Sequence, residues 1–380
     1  MKFRLSDDLL RYHFLVTALF FVLCFLLVKL PPGLTYDEAY YVSAGINLAR
    51  DGVWLNREHP MFAKELLSLV WFVAGDNLYI FRLASLVVAS TGFFLAARAL
   101  WIFTGDRNAA VAFPLLLVCG ALLPGLARLA QLEAFVFGFS ALTVYLFVKG
   151  HTRLSGVALG LAVACKWSVA PLALAIEIAL LLRRDWRNAL IVPLISAVTY
   201  LATFTPAFFA SVDAISPLDL PAMHLVMQKS LAILAGTPQY ESNWWDWLYG
   251  GGAVWDKQGA IPVALNPVIA VASSVAILRF RSVPVSLTGL SFLALIIMSG
   301  KQGLMIHLFL LPHVFFVAAL SLEVGRLPPK VFYTSLAAAI ASLALMPLMV
   351  RYHEGNSDFG PNDNAGSMAD CLARPRECDL

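Results

Sequence analysis

The chain has 380 residues, 60% of them hydrophobic and only 13% charged, with a formal charge of +3. Soluble domains carry about 25% charged residues, so this composition excludes an ordinary water-soluble globule. The net charge decides little, because in a membrane protein the placement of charge matters more than its sum. No nucleic-acid partner is expected.

The expected fold is all-α, a polytopic transmembrane bundle. Phe14 to Leu30 is long enough to span, and no small-residue cleavage site precedes Pro31-Pro32. It reads as a first transmembrane helix rather than a signal peptide, with Lys2, Arg4 and Arg11 holding its start in the cytoplasm. Apolar runs near spanning length recur at 12–30, 78–101, 108–125, 132–149, 154–165, 168–182, 188–208, 261–278, 283–299, 303–322 and 331–350, about eleven spans. The fifth and sixth are short, either re-entrant or tilted. Between the first two spans, Asp37 to Arg50 lacks proline and stops at Asp51-Gly52, and Pro60 suits the first turn of a second short helix. Leu220 to Leu234 is amphipathic. Helices of this kind lie in the interface plane. The stretch Trp244-Trp245-Asp246-Trp247 fits an interfacial belt.

The loop charges agree with that count. Each short turn on the cytoplasmic side carries at least two basic residues, among them Arg98 and Arg107, Lys149 and Arg153, and Arg183, Arg184 and Arg187. The acidic residues gather in the outer segments 31–77 and 209–260. An odd number of spans puts the polar tail 351–380 outside, beyond a single membrane domain over 1–350. Cys371 and Cys378 in that tail either form a disulfide or remain free thiols, and an exoplasmic tail favours the bond. Cys24, Cys119 and Cys165 read as inert packing residues.

Chemistry-bearing residues collect at the outer face. Asp37-Glu38 follows the first span, and Glu58, His59 and Lys64 come about twenty residues later. Arg128 and Glu133 flank the ends of the third and fourth spans, Lys166 ends the fifth, and Lys301 and His307 open the tenth. Blander readings exist for each. Thr35-x-x-Glu38 fits a capping box, and Asp37 itself suits a helix cap. Arg128 and Glu133 suit an ion pair, Lys166 a snorkelling lysine, and His307 a packed hydrogen-bonder. Gly156-x-x-x-Gly160 suits a close helix approach. Capping alone leaves the other charges at that face unexplained. Together they offer cations for a phosphate and a carboxylate for the proton of a hydroxyl. A lipid-linked phosphosugar has both needs. Glu177, within the sixth span, stands apart from this grouping.

These motifs resemble the protein O-mannosyltransferases of the membrane glycosyltransferase C-type superfamily, over nearly the whole chain. Asp37-Glu38 is similar to the family's acidic pair. His59-Pro60 with Lys64 resembles its His-Pro-Pro-x-x-Lys element, with Met61 in place of the second proline. Arg128 with Glu133 is similar to its second outer motif, where aspartate is commoner than Glu133. Gly156 to Gly160 with Lys166-Trp167, then Met223-His224, Ser242 and Trp244 to Trp247, Asn266-Pro267 and His307 with Pro312, follow in order. The resemblance implies inverting transfer of a mannosyl group from a polyprenyl- or dolichyl-phosphate donor to serine or threonine hydroxyls of exported proteins. Asp37 would be the general base, with Glu38 beside it in the catalytic pair. Lys64, Arg128 and Lys166 would hold the donor phosphate, and Glu58, His59, Glu133, His224, Trp244 and His307 would support the site. No cofactor is required, and a divalent ion remains open. The outer segment 209–260 leaves no room for the β-trefoil insert of the family's eukaryotic enzymes, so the resemblance implies a prokaryotic member in an inner membrane. Two other readings stand beside this one. The first is an aminoarabinose-transferase-like enzyme acting on a lipid or polysaccharide. The second is a transporter or lipid flippase, which would need polar groups near the bilayer midplane and is weakened by the lack of an evident internal repeat.

Overall fold

The computed structural model describes residues 2–30, 33–34, 37–209, 216–236, 244–248, 263–298 and 306–354. Ser242, Lys301 and the tail cysteines Cys371 and Cys378 lie outside them. The fold is all-helical, with no β-strand among the described residues. In chain order the helices are α1 (Lys2–Leu26), α2 (Glu38–Asp51), α3 (Phe62–Ala74), α4 (Leu78–Thr104), α5 (Arg107–Cys119), α6 (Leu122–Ala127), α7 (Leu132–Val148), α8 (Thr152–Cys165) and α9 (Ala170–Leu182). They continue as α10 (Trp186–Ala202), α11 (Thr205–Phe208), α12 (Leu220–Gly236), α13 (Trp244–Leu248), α14 (Pro267–Ile277), α15 (Val283–Met298), α16 (Leu310–Val324) and α17 (Pro329–Glu354). Among the described residues, three helical segments are long and apolar enough to cross a membrane, and seven shorter helices are mainly apolar. Each expected span coincides with one of these helices or with α17. The chain is an integral membrane protein.

Polar residues at the turns set the helix ends. Asn77 accepts from the Tyr79 amide and opens α4, Asp106 accepts from the Ala109 amide and opens α5, and Asp185 accepts from the Asn188 amide and opens α10. Gly105 closes α4 in the left-handed conformation, where a Cβ would be strained. Helices α4, α7, α8 and α10 pack in sequence as neighbours, while α5, α14, α15, α16 and α17 gather on the other side. Phe20, Phe93, Phe113 and Phe316 belong to one apolar cluster, and Phe81, Phe135, Ile176 and Phe292 to a second. The small-residue motif does bring helices together. A Cβ on Gly160 would stand 2.5 Å from the Ser196 carbonyl, so α8 and α10 touch backbone to backbone there.

One departure from the expected spans and one expected short span matter for the site. The run 108–125 is not one helix. It breaks at Gly120-Ala121, where Ala121 has φ +65°, and resumes as α6. Asn266 accounts for the break: its amide side chain donates to the Cys119 carbonyl at 2.9 Å and its backbone N–H to the Gly120 carbonyl at 3.0 Å. Those are carbonyls the broken helix leaves without a partner. The fifth span is short, as expected. Helix α8 has 14 residues, about 21 Å at 1.5 Å per residue, short of the roughly 30 Å hydrocarbon core. Lys166, which follows it, is buried.

Candidate active site

The connection after α1 is held by one buried ion pair. Arg82, one turn into α4, donates through Nε to Glu38 Oε1 at 2.8 Å and through Nη2 to Glu38 Oε2 at 2.6 Å. Both side chains are 0% exposed. Arg82 also reaches the carbonyls of Val28 at 3.0 Å and Gly33 at 2.6 Å, and Glu38 Oε1 accepts from the Ala130 amide at 2.8 Å. Arg128 donates to the carbonyls of Leu27 at 3.2 Å and Leu30 at 2.8 Å. The end of α1, the start of α2, α4 and the turn after α6 are thereby tied together. Glu38 thus sits within this tie, its two carboxylate oxygens receiving the Arg82 fork and the Ala130 amide.

Asp37 precedes that anchored residue. It makes no side-chain cap bond at the start of α2. Its Oδ2 accepts from the Tyr41 hydroxyl at 3.3 Å. The residue is half-buried, and its pKa is pushed up from 3.8 to about 7. Withdrawal from water is the largest cause and the Glu133 carboxylate the next, partly offset by the Lys166 ammonium and the Tyr41 hydrogen bond. Facing Asp37 is a three-membered group. Lys166 donates to Glu133 Oε1 at 2.6 Å, and His307 Nε2 lies 3.5 Å from the same oxygen. Glu133 Oε2 is buried with no protein hydrogen-bond partner among the described residues. Glu133, Lys166, Ser168, His307, Phe292 and Leu311 line a cavity of ≈ 30 Å³, room for about one water.

Glu58, which also raises the Asp37 pKa, sits on the loop between α2 and α3 and accepts from the Asn56 side-chain amide. The His59 ring lies 6.0 Å from that of Tyr41. Lys64 holds this loop from beneath. Its ammonium donates to the carbonyls of Leu55 at 3.4 Å, Asn56 at 2.5 Å and His59 at 2.8 Å, over the Trp54 ring at 5.6 Å. Burial lowers its pKa to about 7. The expectation that Lys64 touches phosphate thus meets an ammonium already used by three carbonyls. Lys64→Met is expected to lower stability by about 1–3 kcal/mol through those unpaired carbonyls and to loosen the loop. Limited proteolysis between Trp54 and Met61 would read the loosening, and an unchanged cleavage rate would show that the clamp is dispensable.

Beyond Lys166 lies an aromatic chain. Trp167 Nε1 donates to the Tyr200 hydroxyl at 3.0 Å, and that hydroxyl meets His224 Nε2 at 2.8 Å. His224 Nδ1 lies 2.6 Å from the Leu220 carbonyl, so Nδ1 carries the hydrogen and Nε2 accepts from the tyrosine. Met223 and Met227 of α12 bury against Trp54, Met61 and Phe204, which seats α12 on the loop held by Lys64. Trp244 packs against the core beside α14 and forms an edge contact with Trp245, and no contact joins it to Asp37 among the described residues. No three His, Cys, Asp or Glu side chains converge as a metal-ligand set among the described residues. Arg82, Tyr41 and Tyr200 were not singled out from the sequence. An arginine inside an apolar run is the signal that marks Arg82, whereas the two tyrosines carry none.

No family model and no curated protein matches the chain. Among solved structures, ArnT from Cupriavidus metallidurans bound to undecaprenyl phosphate matches with a TM-score of 0.61 and 15% identity, over 88% of this chain and 64% of that one. The same protein in the apo state matches with a TM-score of 0.55 and 16% identity, over 88% and 63%. This chain therefore spans about 64% of the length of the ArnT chain it matches. At such identity the likeness concerns the fold alone and does not single out the protein O-mannosyltransferases. The chain has the polytopic membrane fold seen in ArnT.

Proposed function

We propose that this protein is a polyprenyl-phosphate-dependent glycosyltransferase with Asp37 as its general base. The observation that carries the reading is the setting of Asp37: a desolvated carboxyl, balanced near neutrality, beside the buried Glu133, Lys166 and His307 group. In the reaction Asp37 takes the proton of an acceptor hydroxyl as its oxygen attacks the anomeric carbon. The bond from that carbon to the lipid phosphate oxygen breaks on the opposite side, which inverts the configuration. The phosphate leaves with the electron pair, stabilised by Lys166 and His307. Arg128 lies near the Glu38 anchor and Lys64 beneath the facing loop, so both shape the entrance. Glu38 acts as the positioning residue for Asp37. The site faces the exoplasmic side, opposite the basic turns, with the N-terminus in the cytoplasm.

Two acceptor classes fit this chemistry. The motif order supports a mannosyl donor and serine or threonine hydroxyls of exported proteins. The shared fold with ArnT, one of whose structures holds undecaprenyl phosphate, supports the polyprenyl-phosphate donor and fits an aminoarabinose-transferase-like enzyme acting on a lipid or polysaccharide at least as well. Purified protein given radiolabelled undecaprenyl-phosphate sugars, with either an acceptor peptide or a glycolipid, separates them by which product gains label. Label in neither, with release of no lipid phosphate, would remove the transferase reading.

The pH dependence follows from Asp37. A base works only when deprotonated, so kcat/KM is expected to rise about tenfold per pH unit below pH ~7 and to level off above it. Stability runs the other way. A carboxyl whose pKa is raised on folding binds its proton more tightly in the folded state, so its contribution declines as pH rises from 3.8 towards 7. A kcat/KM profile flat from about pH 5 to about pH 8 would exclude a base with this pKa.

A further inference from the structure

Helices α8 and α10 run parallel and touch along Gly156 and Gly160. Their N-terminal turns therefore lie side by side, at the end of the bundle opposite Glu133 and Lys166. Between these turns is an open cleft of ≈ 360 Å³ lined by His151, Thr152, Arg153, Leu154, Arg187 and Asn188. That volume falls within the ~300–1,000 Å³ typical of small-ligand clefts.

The cleft's charge is unbalanced. Asp185 is the single carboxylate in the two turns, and it is engaged by the Asn188 amide at 3.3 Å and side chain at 2.7 Å. Arg153 and Arg187 face the cleft with no carboxylate within ion-pair distance among the described residues. At the same end of the bundle, Arg279 and Arg281 are by contrast paired with Glu323. Lys149 and Arg183, each set over an aromatic ring, add positive charge nearby. His151 gives the first turn of α8 no side-chain cap, which leaves amides there for an anion. The surroundings are apolar: Leu154, Leu182, Trp186 and Leu190 are all exposed. A soluble anion has no use for such a rim. A lipid does, because its acyl chains cover the leucines and an exposed tryptophan sits at headgroup depth.

We propose that this cleft binds the phosphate headgroup of an anionic phospholipid, in the leaflet opposite the candidate active site. Two arginines supply the phosphate contacts, Thr152 and Asn188 add polar ones, and the leucine and tryptophan rim receives the chains. The site is independent of the transferase chemistry.

The test reconstitutes the full chain in phosphatidylcholine nanodiscs with or without phosphatidylglycerol and counts retained lipid by native mass spectrometry. Retained phosphatidylglycerol is expected on the unaltered protein and about tenfold less on Arg153→Ala/Arg187→Ala. Arg326→Ala/Lys330→Ala removes two charges from the same end of the bundle and is expected to retain lipid normally. Equal retention by the cleft variant, equal loss by the control, or displacement of the lipid by inorganic phosphate would each overturn the proposal. Amide exchange in the unaltered protein gives a second reading that needs no variant. Exchange at 152–154 and 186–188 is expected to slow when phosphatidylglycerol is present, and an unchanged rate rejects the site.

Discussion

Asp37→Asn is expected to lower kcat for glycosyl transfer by about 10²–10⁴, the usual share of a general base, with little change in donor affinity. Asparagine has nearly the same shape and still accepts the Tyr41 hydrogen bond, so the local structure survives. What it lacks is a basic oxygen for the acceptor proton. The measurement is single-turnover transfer from a labelled polyprenyl-phosphate sugar, alongside elution volume in detergent to establish folding. A well-folded variant with near-normal turnover would end the assignment of Asp37 as base. Since Glu58 and Glu133 are the other carboxylates acting on Asp37, they would be the next to test.

The largest effect on stability is expected from Arg82→Ala. It leaves the Glu38 carboxylate in a site with no exposure to water, and breaking a buried pair from one side costs about 3–5 kcal/mol. The carbonyls of Val28 and Gly33 lose their donor as well. Arg82→Lys is no remedy, because an ammonium cannot reproduce the two-pronged contact of the guanidinium. The expected signs are a lower Tm in detergent, a poor yield and lost transfer, since Asp37 adjoins Glu38. Replacing both partners together, Glu38→Gln with Arg82→Met, is expected to recover most of the Tm, because no lone charge is then left inside. An Arg82→Ala protein with an unaltered Tm would show that the pair is not what secures the turn.

Much of the architecture was legible in the sequence, because a bilayer demands long apolar runs and punishes charge within them. Every expected span contains a helix for that reason. The break at Gly120-Ala121 was not legible: its cause is Asn266, a residue that no local pattern connects to Cys119. The candidate site was legible as a set of residue types at one face. Its division of labour was not. Asp37 and Glu38 look equivalent as neighbours, and only the position of Arg82 makes one an anchor and leaves the other beside Glu133. Likewise Lys64 and Lys166 both read as phosphate-binding cations, yet three loop carbonyls hold the first and a carboxylate holds the second. The Lys166 and Arg82 contacts reach across 33 and 44 residues of chain, beyond the reach of spacing rules, while the Lys64 clamp is local, 5 to 9 residues, and depends on how its loop folds back.

The Asn266 contact also has a consequence for biogenesis. It spans 147 residues, which a ribosome adds in about 7–30 s at ~5–20 residues per second. Through that interval the nascent third span carries an interrupted backbone whose carbonyls await their donor. Lipid cannot supply one, so the insertion machinery, water or a neighbouring helix has to shelter the gap. The same amide goes on to donate to Ser342 at 2.7 Å, so the seal is complete only after α17 has been threaded. Maturation of the protein is thus timed by its C-terminal half, although most residues proposed to do the chemistry have emerged long before.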